Sequence, residues 1–184
     1  MLTLRQCIDM QSDVAQIPPL VSSYDSNMGD SVVGILRRQM KVNRPIDGVF
    51  RFFSDASNLG RITPPEMGFE ILTPLPIEMR EGALIDYRLR LWGIPISWRT
   101  LISGWDPPHG FVDEQLRGPY RRWIHTHRFV QDEVDASATW IHDEVEYRLP
   151  FGPAGTVVLP MIRRQLDRIF DYRGAVTADL LETP

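Results

Sequence analysis

The sequence predicts an α+β domain in which one antiparallel sheet is covered by a long carboxy-terminal helix. Three observations carry that expectation. Between residues 82 and 149 the chain is a succession of alternating stretches broken by short turns, the period-two pattern of strands with one buried face. None of the connections there is long enough for the crossover that parallel neighbours need. Beyond Pro150-Phe-Gly-Pro-Ala-Gly155 the period becomes helical, with Val158, Ile162, Leu166, Ile169, Arg173 and Val176 near one stripe over residues 156–179.

The elements follow in order. Residues 1–30 hold turn-rich runs such as Ile17-Pro-Pro-Leu20 and Ser22-Ser-Tyr-Asp-Ser-Asn-Met-Gly-Asp30, and are expected to form an arm on the domain or on a partner. The domain itself spans residues 31–180. Its first strand is the apolar stretch containing Val32, Val33, Ile35, Leu36, Met40 and Val42. Pro45 suits the opening of a helix, where its missing donor costs nothing, and Ile46, Val49, Phe50 and Phe53 recur at helical spacing. Ser54 or Asp55 caps a second short helix, ended by Thr63-Pro-Pro65. Six strands are then expected at 69–72, 82–92, 94–105, 111–117, 120–129 and 137–149. Pro160 is a fault in the final helix, either bending it or marking its first turn. This β-α-α-β6-α order is that of a helix-grip fold: seven antiparallel strands curl round the last helix and leave a cavity between them.

Composition narrows the function classes. A chain of 184 residues with 43% apolar content suits a single core. The net charge of -4, with arginines scattered among acids, supplies no basic field for a nucleic-acid backbone. Cys7 alone excludes an internal disulfide and any metal site needing two thiolates. No leader pattern and no membrane-length apolar run is visible, so a soluble, cytoplasmic protein is expected. Gly-rich phosphate loops and Gly-x-Ser-x-Gly elbows are missing, and no cofactor is expected.

The chemistry concentrates in one strand. In Tyr120-Arg-Arg-Trp-Ile-His-Thr-His-Arg-Phe129, alternation puts Trp123, His125, His127 and Phe129 on one face. On the neighbouring strands Phe111, Asp113, Gln115 and Arg117 share a phase, as do Asp143 and Tyr147. If these are the concave faces, carboxylates, imidazoles, an amide and a phenol converge. The set then reads either as a buried hydrogen-bond network that fixes the sheet or as the polar end of a ligand cavity. His125, His127, Asp143 and Tyr147 are the candidate acid/base groups, with Asp113 and Gln115 as ligand contacts or supports. A metal held by His125, His127 and Asp143 is considered and set aside, because two histidines two apart on a strand lack an enforced ligand geometry.

Several blocks carry a family resemblance: Val49-Phe-Arg-Phe-Phe-Ser-Asp-Ala-Ser-Asn-Leu59, Ile62-Thr-Pro-Pro65, Trp105-Asp-Pro-Pro108, Phe111-Val-Asp-Glu-Gln-Leu-Arg-Gly-Pro-Tyr120, Trp123-Ile-His-Thr-His127, Tyr147-Arg-Leu-Pro-Phe-Gly152 and Ile169-Phe-Asp-Tyr-Arg173. Over residues 32–178 they resemble the START-like, or SRPBCC, superfamily, nearest its bacterial polyketide cyclase/dehydrase-like or CoxG-like branch. The resemblance implies a hydrophobic cavity and not a common mechanism. Tyr87, Trp98 and Trp123 would line it from the sheet, and Leu166, Ile169 and Phe170 from the helix. Three function classes follow: a binder or carrier of a hydrophobic small molecule, a cyclase, aromatase or dehydratase working by acid/base chemistry, and a structural or assembly module acting through residues 1–30.

Overall fold

The computed structural model describes residues 33–150 and 155–182. The expected arm over residues 1–30 and most of the turn before the last helix lie outside the described residues. Strand β1 (Val33–Val42) is followed by helix α1 (Ile46–Phe53) and two 3-10 turns, Ala56–Gly60 and Pro65–Met67. Strands β2 (Glu70–Ile71), β3 (Leu84–Leu91), β4 (Ile94–Asp106), β5 (Gly110–Arg117), β6 (Arg122–Gln131) and β7 (Thr139–Arg148) come next, and helix α2 (Gly155–Glu182) closes the order. All pairings are antiparallel, and the sheet runs β1-β7-β6-β5-β4-β3-β2. This is the helix-grip fold that the strand alternation and the final amphipathic stripe predict.

Local chemistry explains each piece. Pro45 sits at the N-cap of α1, and Val49 and Phe53, four apart, are the residues this short helix buries. Asp55 caps the next turn by accepting from the Ser57 amide at 2.9 Å and its hydroxyl at 2.7 Å. The second short helix is 3-10, because Ser57, Asn58 and Gly60 give a five-residue segment little reason to complete an α-turn. At the β3–β4 hairpin both Trp92 (φ 50) and Gly93 (φ 79) take positive φ, the two-residue turn whose twist matches its strands. Strand β4 is long and shifts register against β5 at Arg99/Thr100 and Ile102/Gly104. Such irregularities bend a strand, which lets the sheet curl.

Helix α2 fills the curl. Leu166, Phe170, Thr177 and Leu181 are its buried positions, and they face the sheet. Pro160 lies inside the helix and not at its first turn, so the chain continues through the lost donor. Arg38 of β1 ties the helix to the sheet edge through Asp167 at 2.6 Å and Asp171 at 3.1 Å. Close packing fixes β1 beside the last strand, where Gly34 pairs with Tyr147: a Cβ at Gly34 would collide with the Tyr147 ring.

Candidate functional site

Between the concave face of the sheet, α1 with its following turns and α2 lies a cavity of about 150 Å³. Its walls are mostly apolar. Phe53 and Leu59 close one side, Ile85, Leu89 and Ile102 form the floor, and Leu166, Ile169 and Phe170 come from the helix. Aromatic rings wall the remainder, with Tyr87 stacked on Trp98 at 5.9 Å and Trp98 edge-on to Trp123 at 5.4 Å.

The polar end is built by strand register. Asp113 of β5 is paired directly with His125 of β6, and Asp143 of β7 directly with His127. The side chains point the same way from adjacent strands, so each carboxylate also reaches the other imidazole diagonally. His125 Nε2 lies 3.0 Å from Asp143 Oδ1, and His127 Nε2 lies 3.1 Å from Asp113 Oδ2. The ring is closed by His127 Nδ1 at 2.8 Å from Asp143 Oδ1 and His125 Nδ1 at 3.5 Å from Asp113 Oδ2. The 2.8 Å approach is poorly aligned for an N–H donor, so His127 Nδ1 has no well-formed hydrogen bond there, and the contact acts through charge. A Cβ at Gly110 would strike the His127 carbonyl oxygen, so the glycine that opens β5 is what lets that strand lie against the histidines.

Burial and contact assign the protons. Desolvation of the ring, with the neighbouring His127 charge, pushes His125 below the usual histidine value despite Asp113 and Asp143. Burial works against His127 too, but its contacts with Asp113 and Asp143 prevail and raise it. Burial would also raise both aspartates, yet the imidazoles hold Asp113 below and Asp143 well below the ordinary carboxylate value. His127 is accordingly the ring that holds its proton more tightly and His125 the one that releases it more readily, with the Nε2 of His127 directed at Asp113 and that of His125 at Asp143.

Such a set can hold and move a proton at the cavity wall. Asp113, His125 and His127 also offer ligand atoms within 4.8 Å of one another, a two-histidine, one-carboxylate donor set that could hold a metal ion. The third donor is Asp113, on the cavity side, and not the Asp143 that alternation singled out.

Tyr87, Trp98, Asp113, Trp123, His125 and His127 border the cavity, as do the three named helix residues. Gln115, Asp143 and Tyr147 do not. Gln115 instead clamps the β5–β6 turn, donating from Nε2 to the Tyr120 carbonyl at 2.7 Å and accepting from the Tyr120 amide at 3.3 Å. Asp143 stands behind the two rings. Tyr147 is packed among Leu36, Val145, Leu149, Leu166 and Phe170. Sequence reasoning missed Arg173, which reaches the cavity from α2. The signal was available: an arginine on the apolar stripe of an amphipathic helix.

The fold is that of the helix-grip proteins, whose likeness the strand order and the enclosed helix define. Among solved structures, the chain is similar to the Zhui aromatase/cyclase of Streptomyces sp. R1128, at 17% identity and a TM-score of 0.65 over 82% of this chain and 94% of that one. It is similar to TTHA0849 of Thermus thermophilus, at 13% identity and 0.64 over 79% and 95%. A truncated norcoclaurine synthase of Thalictrum flavum matches at 18% identity and 0.61 over 86% and 99%. No protein-family model and no curated protein matches the sequence. At these identities the likeness is one of fold.

Proposed function

We propose that the protein binds or carries a hydrophobic small molecule in the cavity between sheet and helix. The observation that carries this reading is the cavity itself: apolar and aromatic over most of its wall, with a few polar groups gathered at one end. The Trp98 indole nitrogen supports it. This donor belongs to a cavity-lining side chain, is buried, and has no partner among the described residues, a condition that costs free energy unless an acceptor arrives. Tyr87, Trp98 and Trp123 would hold the skeleton of the molecule, and Asp113, His125 and His127 its polar end.

The ring of carboxylates and imidazoles favours a second reading, in which the bound molecule is converted. His125, with its proton affinity lowered, beside His127, with its affinity raised, supplies two proton-transfer groups of different strength within one wall, as a cyclisation, aromatisation or dehydration needs. The solved aromatase/cyclase shows that the fold can host such an activity. Among the described residues no helix is long and apolar enough to cross a membrane.

Native mass spectrometry of protein purified from its source tests the binding reading. The expected result is one small organic molecule per chain, released on denaturation. A bare chain that also takes up no neutral naphthyl probe would contradict it.

A further inference from the structure

Arg173 makes no hydrogen bond or ion pair with a described residue. From α2 its guanidinium carbon lies 5.5 Å from the centre of the Phe53 ring and 5.9 Å from that of Phe170, and the side chain borders the cavity. Its Nε is buried without a partner. A guanidinium keeps its charge throughout the physiological range and presents a planar fork of donors. Aromatic faces satisfy part of that charge but none of the in-plane N–H groups.

The same two aromatics locate this cation. Phe53 lies 5.8 Å from His127, and Phe170 lies 5.4 Å from His125, so both flank the guanidinium and the imidazole pair. The Arg173 charge is felt at Asp113, whose carboxylate it helps to keep ionised without pairing with it. Arg173 and the titratable wall therefore serve one end of the cavity. Among the described residues, the cavity-lining side chains that hold a buried unpartnered polar atom each hold a nitrogen: Trp98 Nε1, His127 Nδ1 and Arg173 Nε. Of these, His127 Nδ1 already faces a carboxylate. The cavity thus offers spare donors and an unpaired positive charge, and the complementary ligand supplies acceptors and negative charge.

We propose that Arg173 is an anion anchor, and that the cavity's ligand is an apolar or aromatic skeleton carrying a planar oxyanion, a carboxylate in the simplest case, placed beside His125 and His127. This rests on the small-molecule reading and names its substrate class. With the oxyanion on Arg173, the groups next to it on the skeleton come within reach of the His125 and His127 imidazoles on β6.

Two probes of one shape separate the possibilities: 2-naphthoate and its neutral amide, 2-naphthamide, titrated by fluorescence at about pH 7, where the acid is ionised. The parent protein is expected to bind the naphthoate at least about tenfold more tightly than the amide. In Arg173→Gln that preference should fall to within about twofold, with an unfolding midpoint in urea close to the parent's showing that the variant is folded. Arg173→Lys, keeping charge without the fork, should retain part of the preference. Equal affinity for the two probes in the parent, or a preference that survives Arg173→Gln, would overturn the anchor and leave the cavity reading standing. Failure of both probes to bind the parent would overturn both.

Discussion

The rings of His125 and His127 lie 3.8 Å apart, centre to centre, and share both of their carboxylate partners, yet their proton affinities are displaced in opposite directions. Burial and the neighbouring His127 charge lower the proton affinity of His125, whereas the carboxylate contacts of His127 outweigh its burial. An NMR titration should therefore resolve two imidazoles, one protonating below and one above the ordinary value near about 6.5. The charged His127 stabilises the fold fully below that unfolded value, and its contribution is lost as pH rises through the higher folded value. His125 acts oppositely, destabilising progressively as pH falls below about 6.5 toward its lower folded value. Coincident titration of the two rings would contradict the assignment.

Asp143 accepts from one imidazole and faces the other from behind, outside the cavity. Asp143→Asn should lower the proton affinity of both rings and destabilise the domain by about 3 kcal/mol, the scale for removing one partner of a buried ion pair. Equilibrium unfolding in urea measures the loss. A cost under about 0.5 kcal/mol would mean that the network contributes little to the fold.

Leu166 is 3% exposed and joins the helix to Leu36, Val145 and Tyr147 while bordering the cavity. Leu166→Ala should cost about 2 to 5 kcal/mol, toward the lower end because part of its surface already meets empty space. Urea unfolding checks this as well, and a negligible change would place the helix off the sheet.

Much of the fold was legible in the sequence because two kinds of signal agreed. Period-two alternation marked the strands, and the apolar stripe marked α2 with Leu166, Ile169 and Phe170 on its inner side. Boundaries were softer: α2 runs to Glu182, and the second short helix, although capped by Asp55, is 3-10, because a cap marks where a helix starts and not which turn it makes. Alternation also grouped His125, His127, Asp113 and Asp143 on one side of their strands, but it cannot measure depth. Asp143, Gln115 and Tyr147 share the phase of the cavity residues, yet one stands behind the rings, one holds a turn and one is enclosed by Leu36 and Leu149. Arg173 was hidden for a related reason, because a stripe residue is read as core until its charge is seen to lack a partner.

Metal analysis distinguishes a proton network from a metal centre at Asp113, His125 and His127. Arg173 brings a fixed positive charge to the same end of the cavity and opposes a second cation. Protein purified without added metal or chelator should hold no stoichiometric zinc or iron by elemental analysis. One equivalent would reassign the three residues as ligands.

The account rests on the cavity being where a small molecule sits, and the tryptophan indoles report on this directly. Trp98 and Trp123 border the cavity, while Trp92 is 51% exposed on a hairpin tip and Trp140 donates to Asp132 at 2.8 Å away from the cavity. In a proton–nitrogen correlation spectrum titrated with 2-naphthamide, the indole signals of Trp98 and Trp123 should move in a saturable way, and those of Trp92 and Trp140 should stay. Shifts confined to Trp92 and Trp140, or no saturable shift at Trp98, would contradict a binding site between the sheet and the helix.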